Sequence, residues 1–183
     1  RLMWDACGKG DYVMLQRLVE QFEEERGSGD VGGLTTMSEL FANIDGLNEG
    51  RTPLFAACRT GHYDCASFLL MKGAQVSQKN TNGHSSLFVA CVAGHAECVS
   101  LLLSNGANDV NHTDNNGWSA LYAACFSGHS ACAALLINKG ANVNHVVHND
   151  RANNNGDTPL YISLAKCHLL VVFHLLENVA DVT

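Results

Sequence analysis

Eight cysteines and nine histidines in 183 residues could do three kinds of chemistry: cross-link the chain, hold zinc, or move protons and attack a substrate. Their spacing argues against each. No Cys-x-x-Cys pair occurs, so zinc-ligand spacing is missing. Cys58, Cys91 and Cys125 fall at one place of a repeated phrase, and Cys65, Cys98 and Cys132 at another. His62, His95, His129 and His168 recur once per repeat in the same way. His112 and His145 hold equivalent places, with His148 nearby. Repeats stacked at the ordinary helix-packing distance of about 10 Å set two such imidazoles too far apart to share a metal. No nucleophile sits in a Gly-x-Ser-x-Gly setting. There is no phosphate-cradling P-loop and no paired-carboxylate cleft. We therefore expect no catalytic residue, no cofactor, no metal and no enzymatic activity in this stretch.

The phrase that places these residues is written three times. It runs from Gly50 to His62 (GRTPLFAACRTGH), from Gly83 to His95 (GHSSLFVACVAGH) and from Gly117 to His129 (GWSALYAACFSGH). Each copy continues through a Leu-rich run to Gly-Ala, at Gly73-Ala74, Gly106-Ala107 and Gly140-Ala141. A fourth copy starts at Gly156 and decays. The leading glycines are separated by 33, 34 and 39 residues, a period that signals a stacked-repeat architecture. Within a copy, Thr-Pro or its substitute opens a first helix, with Thr capping orphan N–H groups and Pro suited to the first turn. Gly61, Gly94 and Gly128 turn the chain into a second helix. Gly73, Gly106 and Gly140 end that helix in a left-handed cap.

This pattern resembles the ankyrin repeat family, well over residues 47–183 and weakly over 1–19. The resemblance implies an all-α ankyrin-repeat solenoid of about five helix-turn-helix repeats, the first and last degenerate, joined by short β-hairpin fingers. It divides the chain into a degenerate first repeat (1–19), an acidic glycine-containing insertion (20–46), repeats at 47–79 and 80–113, a repeat with an enlarged finger (114–152), and a degenerate last repeat (153–183). Six extra residues, Val147 to Ala152, enlarge that finger. Family copies usually carry Ala in the first cysteine slot and Ile or Val in the second, so the thiols read as small apolar core residues. The recurrent histidines read as the family's structural Gly-His. Leu103 followed by Asp109-Val110-Asn111 resembles a substrate of asparaginyl hydroxylase, which makes Asn111 a candidate for hydroxylation; the alternative is an Asn that only hydrogen-bonds the finger turn.

Two regions depart from the pattern. The insertion holds Gly27, Gly29, Gly32 and Gly33, too little side chain to offset backbone entropy, so 27–34 is expected to be the most mobile internal stretch. A capping box at Thr36 and Glu39 predicts a short helix after it. In the last repeat, Cys167 stands where the turn glycine belongs and Val179 where the capping glycine belongs, so its turns are expected to be reshaped. Its second helix carries Leu170 and Phe173 in slots that are Asp, Glu, Ser or Ala elsewhere, and His174 in an apolar slot. Either the helix is rotated to bury Phe173, or Leu170 and Phe173 form an exposed patch, a possible second interface. A start at Arg1 and an end inside a finger lead us to expect a longer parent chain.

Charge narrows the partners. Residues 1–50 hold ten acids against four bases, and the remaining 133 residues carry a net charge of only −1. No basic stripe marks a nucleic-acid footprint, and no apolar run reaches the ~20 residues a membrane span needs. Unpaired thiols imply a reducing compartment, and so a cytoplasmic protein. What the resemblance implies is a protein partner held on a concave face built from first helices and finger tips. The slots that would face it hold Arg51 and Arg59, then His84 and Val92, then Asn116, Trp118 and Phe126, then Asp157 and Lys166. Trp118 and Phe126 are expected to lie together at the centre. The alternative is a regulatory or scaffolding domain of a larger enzyme or receptor, docking on a neighbouring domain of its own chain.

Overall fold

The computed structural model describes residues 2–28, 50–148 and 156–180. The chain there forms ten helices: α1 Leu2–Lys9, α2 Tyr12–Ser28, α3 Pro53–Thr60, α4 Tyr63–Met71, α5 Ser86–Ala93, α6 Ala96–Ser104, α7 Ala120–Ser127, α8 Ser130–Asn138, α9 Pro159–Ala165 and α10 Leu169–Ala180. They pair as α1/α2, α3/α4, α5/α6, α7/α8 and α9/α10. First helices stack in the order α1, α3, α5, α7, α9, and second helices α2, α4, α6, α8, α10 stack beside them. Among the described residues the result is an all-α solenoid of stacked helical pairs, the architecture expected.

Each first helix from α3 onward begins as its sequence dictates. Thr52, Ser85, Ser119 and Thr158 sit in extended backbone, and their hydroxyls accept the N–H groups of Phe55, Phe88, Tyr122 and Tyr161. One such cap is worth about 1 kcal/mol. Each ends in a left-handed turn. Gly94 has φ 82°, and a Cβ placed on it would lie 2.5 Å from Nδ1 of His129. Gly10, Gly61 and Gly128 meet His62, His95 and His168 in the same manner. The recurrent histidine is therefore the packing piece that fills the space over the preceding repeat's turn. Glycine is needed there for close approach as well as for φ.

The last turn departs from the expectation. Cys167 takes φ 59°, and the His168 N–H still reaches the Ser163 carbonyl at 2.9 Å, as the His62 N–H reaches Ala57 at 2.9 Å. The turn is not reshaped; a side-chain-bearing residue is held in it. At Val179 α10 simply continues through Ala180.

The core is a seam of small residues. Cys58, Cys91 and Cys125 on first helices and Cys65, Cys98 and Cys132 on second helices are buried as free thiols, and Cys7 joins them in the first pair. Burial, together with neighbouring Cys132 and Cys125, pushes the Cys91 thiol well above its ordinary range, and burial pushes Cys125 up to about 12. Cys91 and Cys125 therefore pack as neutral apolar groups. Leu69, Leu102 and Leu136 fill the space between helix layers.

Among the described residues the fingers carry isolated bridges and no strand ladder. Each of the two described throughout makes a single antiparallel bridge, Lys79 with Ser85 and Thr113 with Ser119. α2 runs without a break through 20–28, and Phe22 is buried in the core. In the third finger, Val147 is fully buried and exchanges backbone bonds with Asp157 and Gly156. Val147 thus occupies the finger base rather than opening the enlargement. The expectations about mobility at 27–34, the Thr36–Glu39 capping box and most of the 147–152 enlargement fall largely outside the described residues.

On α10, Val171, Val172 and Leu175 face inward, in register with Cys65, Ala66 and Leu69 of α4. Leu170 is 69% and Phe173 56% exposed. The helix is not rotated: of the two arrangements open to the sequence, the exposed patch is the one adopted. His174 stays in its slot, half-buried, with Nδ1 3.9 Å from Glu177.

Candidate binding face

The finger tips are set by a carboxylate and its amide counterpart. Asp114 Oδ1 accepts the N–H groups of Asn116 and Trp118, both at 2.8 Å. Asn80 Oδ1 accepts those of Asn82 and His84 at 3.0 and 2.9 Å. Each is an Asx turn that fixes the backbone leading into the next first helix. Successive fingers are tied together as well: the Asn115 side-chain amide donates to the Thr81 carbonyl at 2.9 Å and its N–H to Asn82 at 3.0 Å.

Asp114 does a second job. Its Oδ2 accepts from His84 Nε2 at 3.1 Å, and its side chain is almost wholly buried. Burial alone would raise its pKa. The bonds from His84, from the Trp118 and Asn116 N–H groups and from the Asn116 amide outweigh that and hold the carboxyl below its ordinary 3.8. His84 in turn stacks on Phe88, rings 4.5 Å apart and 9° from parallel. One repeat later the same two slots hold Trp118 edge-on to Tyr122 at 5.0 Å.

Between these two aromatic pairs runs a groove of about 440 Å³, lined by His84, Phe88, Val92, Asp114, Asn116 and Trp118. Its floor is apolar. Trp118 is half-buried, packs against the Phe55, Phe88, Val89 and Ala123 cluster, and buries Nε1 with no hydrogen-bond partner. Packing alone holds the ring. Phe126 lies 4.9 Å from it, and Lys166 Nζ sits 3.9 Å above the Phe126 ring.

Of the residues expected to face a partner, the structure brings His84, Val92, Asn116 and Trp118 into one groove, with Phe126 alongside. Arg51, Arg59 and Asp157 do not line it. Arg59 is exposed, its guanidinium 5.7 Å from the Trp4 ring centre. Asp157 accepts the Tyr122 hydroxyl at 3.2 Å. Asn111 is exposed but engaged: its carbonyl accepts the Asn142 N–H at 2.7 Å, and its amide donates to the Gly140 carbonyl at 3.3 Å. His112 and His145 each direct Nε2 at a finger-glycine carbonyl, Gly83 at 3.1 Å and Gly117 at 2.9 Å. Sequence reasoning missed Asp114 and Phe88. An Asx residue three places before the finger glycine was the available signal for Asp114.

Repeated helical pairs, capped and turned alike and stacked through His-on-Gly contacts, are matched by a family model described as ankyrin repeats in three copies, over residues 2–80, 73–147 and 108–183. The chain belongs to the ankyrin repeat family. Ankyrin repeats are generally protein-protein interaction modules and are typically non-catalytic. No helix among the described residues is long and apolar enough to cross a membrane.

Proposed function

We propose that this ankyrin chain binds a protein partner on its concave face, centred on the groove beside Trp118. The observation that carries this reading is a groove lined by the apolar side chains of Phe88, Val92 and Trp118 together with His84, Asn116 and the buried Asp114. Buried aromatic anchors within polar surroundings are what interface centres are made of. Free thiols in seven buried positions fit a reducing, cytoplasmic setting. Replacing Trp118 and Phe126 together by Ala is expected to weaken a partner by about 2 kcal/mol or more. Quantitative affinity capture of partners by wild type and by the double variant, with melting curves as the fold control, tests this. An unchanged set of captured proteins at matched stability moves the site elsewhere.

A second reading, a regulatory or scaffolding domain docked on a neighbouring domain of its own parent chain, is favoured by the exposed Leu170 and Phe173 on α10. A photo-crosslinker at 173 in the full-length protein tests it: intrachain products support docking, and none argues against it. Asn111 stays a proposed hydroxylation position. Peptide mapping after co-expression with an asparaginyl hydroxylase decides it.

A further inference from the structure

The two faces of the solenoid differ in charge, and the difference names the kind of partner the groove fits. Among the described side chains of the second helices and their C-caps, seven exposed carboxylates, Glu97 and Glu177 among them, outnumber the cations Arg17, Lys72 and Lys139, and Lys72 is itself paired with Glu23 at 2.7 Å. The first helices carry a single described carboxylate, Asp5, half-buried on α1. Their C-terminal ends carry exposed cations instead: Lys9 ends α1, Arg59 lies in the last turn of α3, and Lys166 follows α9. In repeat register Arg59 precedes Val92 and Phe126 in the same slot, while Lys166 covers the Phe126 ring. A cation therefore stands beyond each end of the apolar groove. The carboxylates near the groove offer little counter-charge to a ligand. Asp114 is buried and engaged by His84, and Asp157 accepts from Tyr122.

We infer that the occupant of this groove is an extended peptide segment with an apolar side chain flanked on both sides by carboxylates. This rests on the proposed concave-face reading and deepens it. The apolar side chain enters between Phe88 and Trp118, and the carboxylates reach toward Arg59 at one end and Lys166 at the other. Three repeats at about 10 Å each separate those cations, and an extended peptide at about 3.3 Å per residue covers that span in roughly nine residues. Acidic flanks complement the cations and steer association. The ordinary alternative is that Lys9, Arg59 and Lys166 only satisfy helix C-termini, where cations are favourable on any helix. On that alternative the peptide's charge has no effect on binding.

The test is selection from a library of random 12-residue displayed peptides against the wild-type chain, followed by titration of synthesised winners. The winners are expected to carry an apolar residue between Asp or Glu residues. They should lose about tenfold or more in affinity on Arg59→Glu/Lys166→Glu and weaken with added salt. They should be lost on Val92→Glu, an exposed groove-wall change that leaves the core untouched. Winners lost on Val92→Glu but showing no acidic bias overturn the inference and leave the concave-face reading standing. Winners indifferent to Val92→Glu and to Trp118→Ala overturn both. Basic-flanked winners, or none, overturn the inference.

Discussion

The α7/α8 pair and the α9/α10 pair are built on the same slots, yet they meet different surroundings. Tyr122 and Cys125 of α7 are fully buried because α9 lies over them; Tyr161 and Leu164, in the same slots of α9, are 59% and 53% exposed. Ala131 and Ala134 of α8 become Leu170 and Phe173 on α10. Gly128 becomes Cys167, with φ changing only from 79° to 59°. A slot's backbone geometry is thus inherited from the repeat, whereas its burial is conferred by whatever lies over it. No described helical pair covers α9/α10, so Tyr161, Leu164 and Leu176 face outward in slots that are buried in α7/α8, while Val171, Val172 and Leu175 still pack inward.

The largest test of this contrast is a pair of matched truncations. Ile137→Ala, buried on α8 in the slot that Leu176 holds on α10, is expected to cost about 3 kcal/mol. Leu176→Ala, exposed on α10, should stay within about 0.5 kcal/mol. Urea denaturation of both variants checks it, and equal losses would show that α10 is covered.

The turns sharpen the comparison next. Gly94→Ala must accept φ 82° and a clash with His129, and should cost about 2 kcal/mol or more. Cys167→Gly relieves a left-handed side chain and should stabilise by up to about 1 kcal/mol. Opposite signs in thermal melts support the inherited-turn reading, and a destabilising Cys167→Gly breaks it.

The two finger anchors differ by one charge. Asn80 shows that an amide can hold the turn, so Asp114→Asn should keep the fold. The folded-state pKa of Asp114 lies below its unfolded value, so its ionic contribution is present above pH about 4 and is lost as pH falls through the lowered value. Wild type should therefore exceed Asp114→Asn in stability at neutral pH, with the gap closing in acid. A gap independent of pH would remove the charge from the account. The smallest effect belongs to Phe173→Asp, expected to change stability by no more than about 0.5 kcal/mol. A strong drop in melting temperature would place the ring in a core.

The fold was legible because one period carried caps, turns and seam residues together. Thr52, Ser85 and Ser119 announced helix starts that the structure reproduces, and the phased cysteines announced their own burial. The groove was partly legible: His84, Val92, Asn116 and Trp118 lie in repeat slots, and register alone brings them together. Asp114 was not, because its role depends on backbone N–H groups that converge only once the finger is folded. Nor was the fate of Phe173, since residue type does not say what covers a helix. Arg59 and Asp157 were expected to flank the strip, and their contacts with Trp4 and Tyr122 come from neighbouring repeats, which no local spacing reveals.

The histidine over each turn glycine also orders which sequence changes the chain can accept. Gly61 and His95 form one unit across two repeats, as do Gly94 with His129 and Gly128 with His168. A side chain at such a glycine meets both the facing imidazole and the left-handed backbone, so removing the histidine relieves only the first of two obstacles. Cys167 is the turn position with no described repeat stacked over it, and there a side-chain-bearing residue meets only the backbone obstacle.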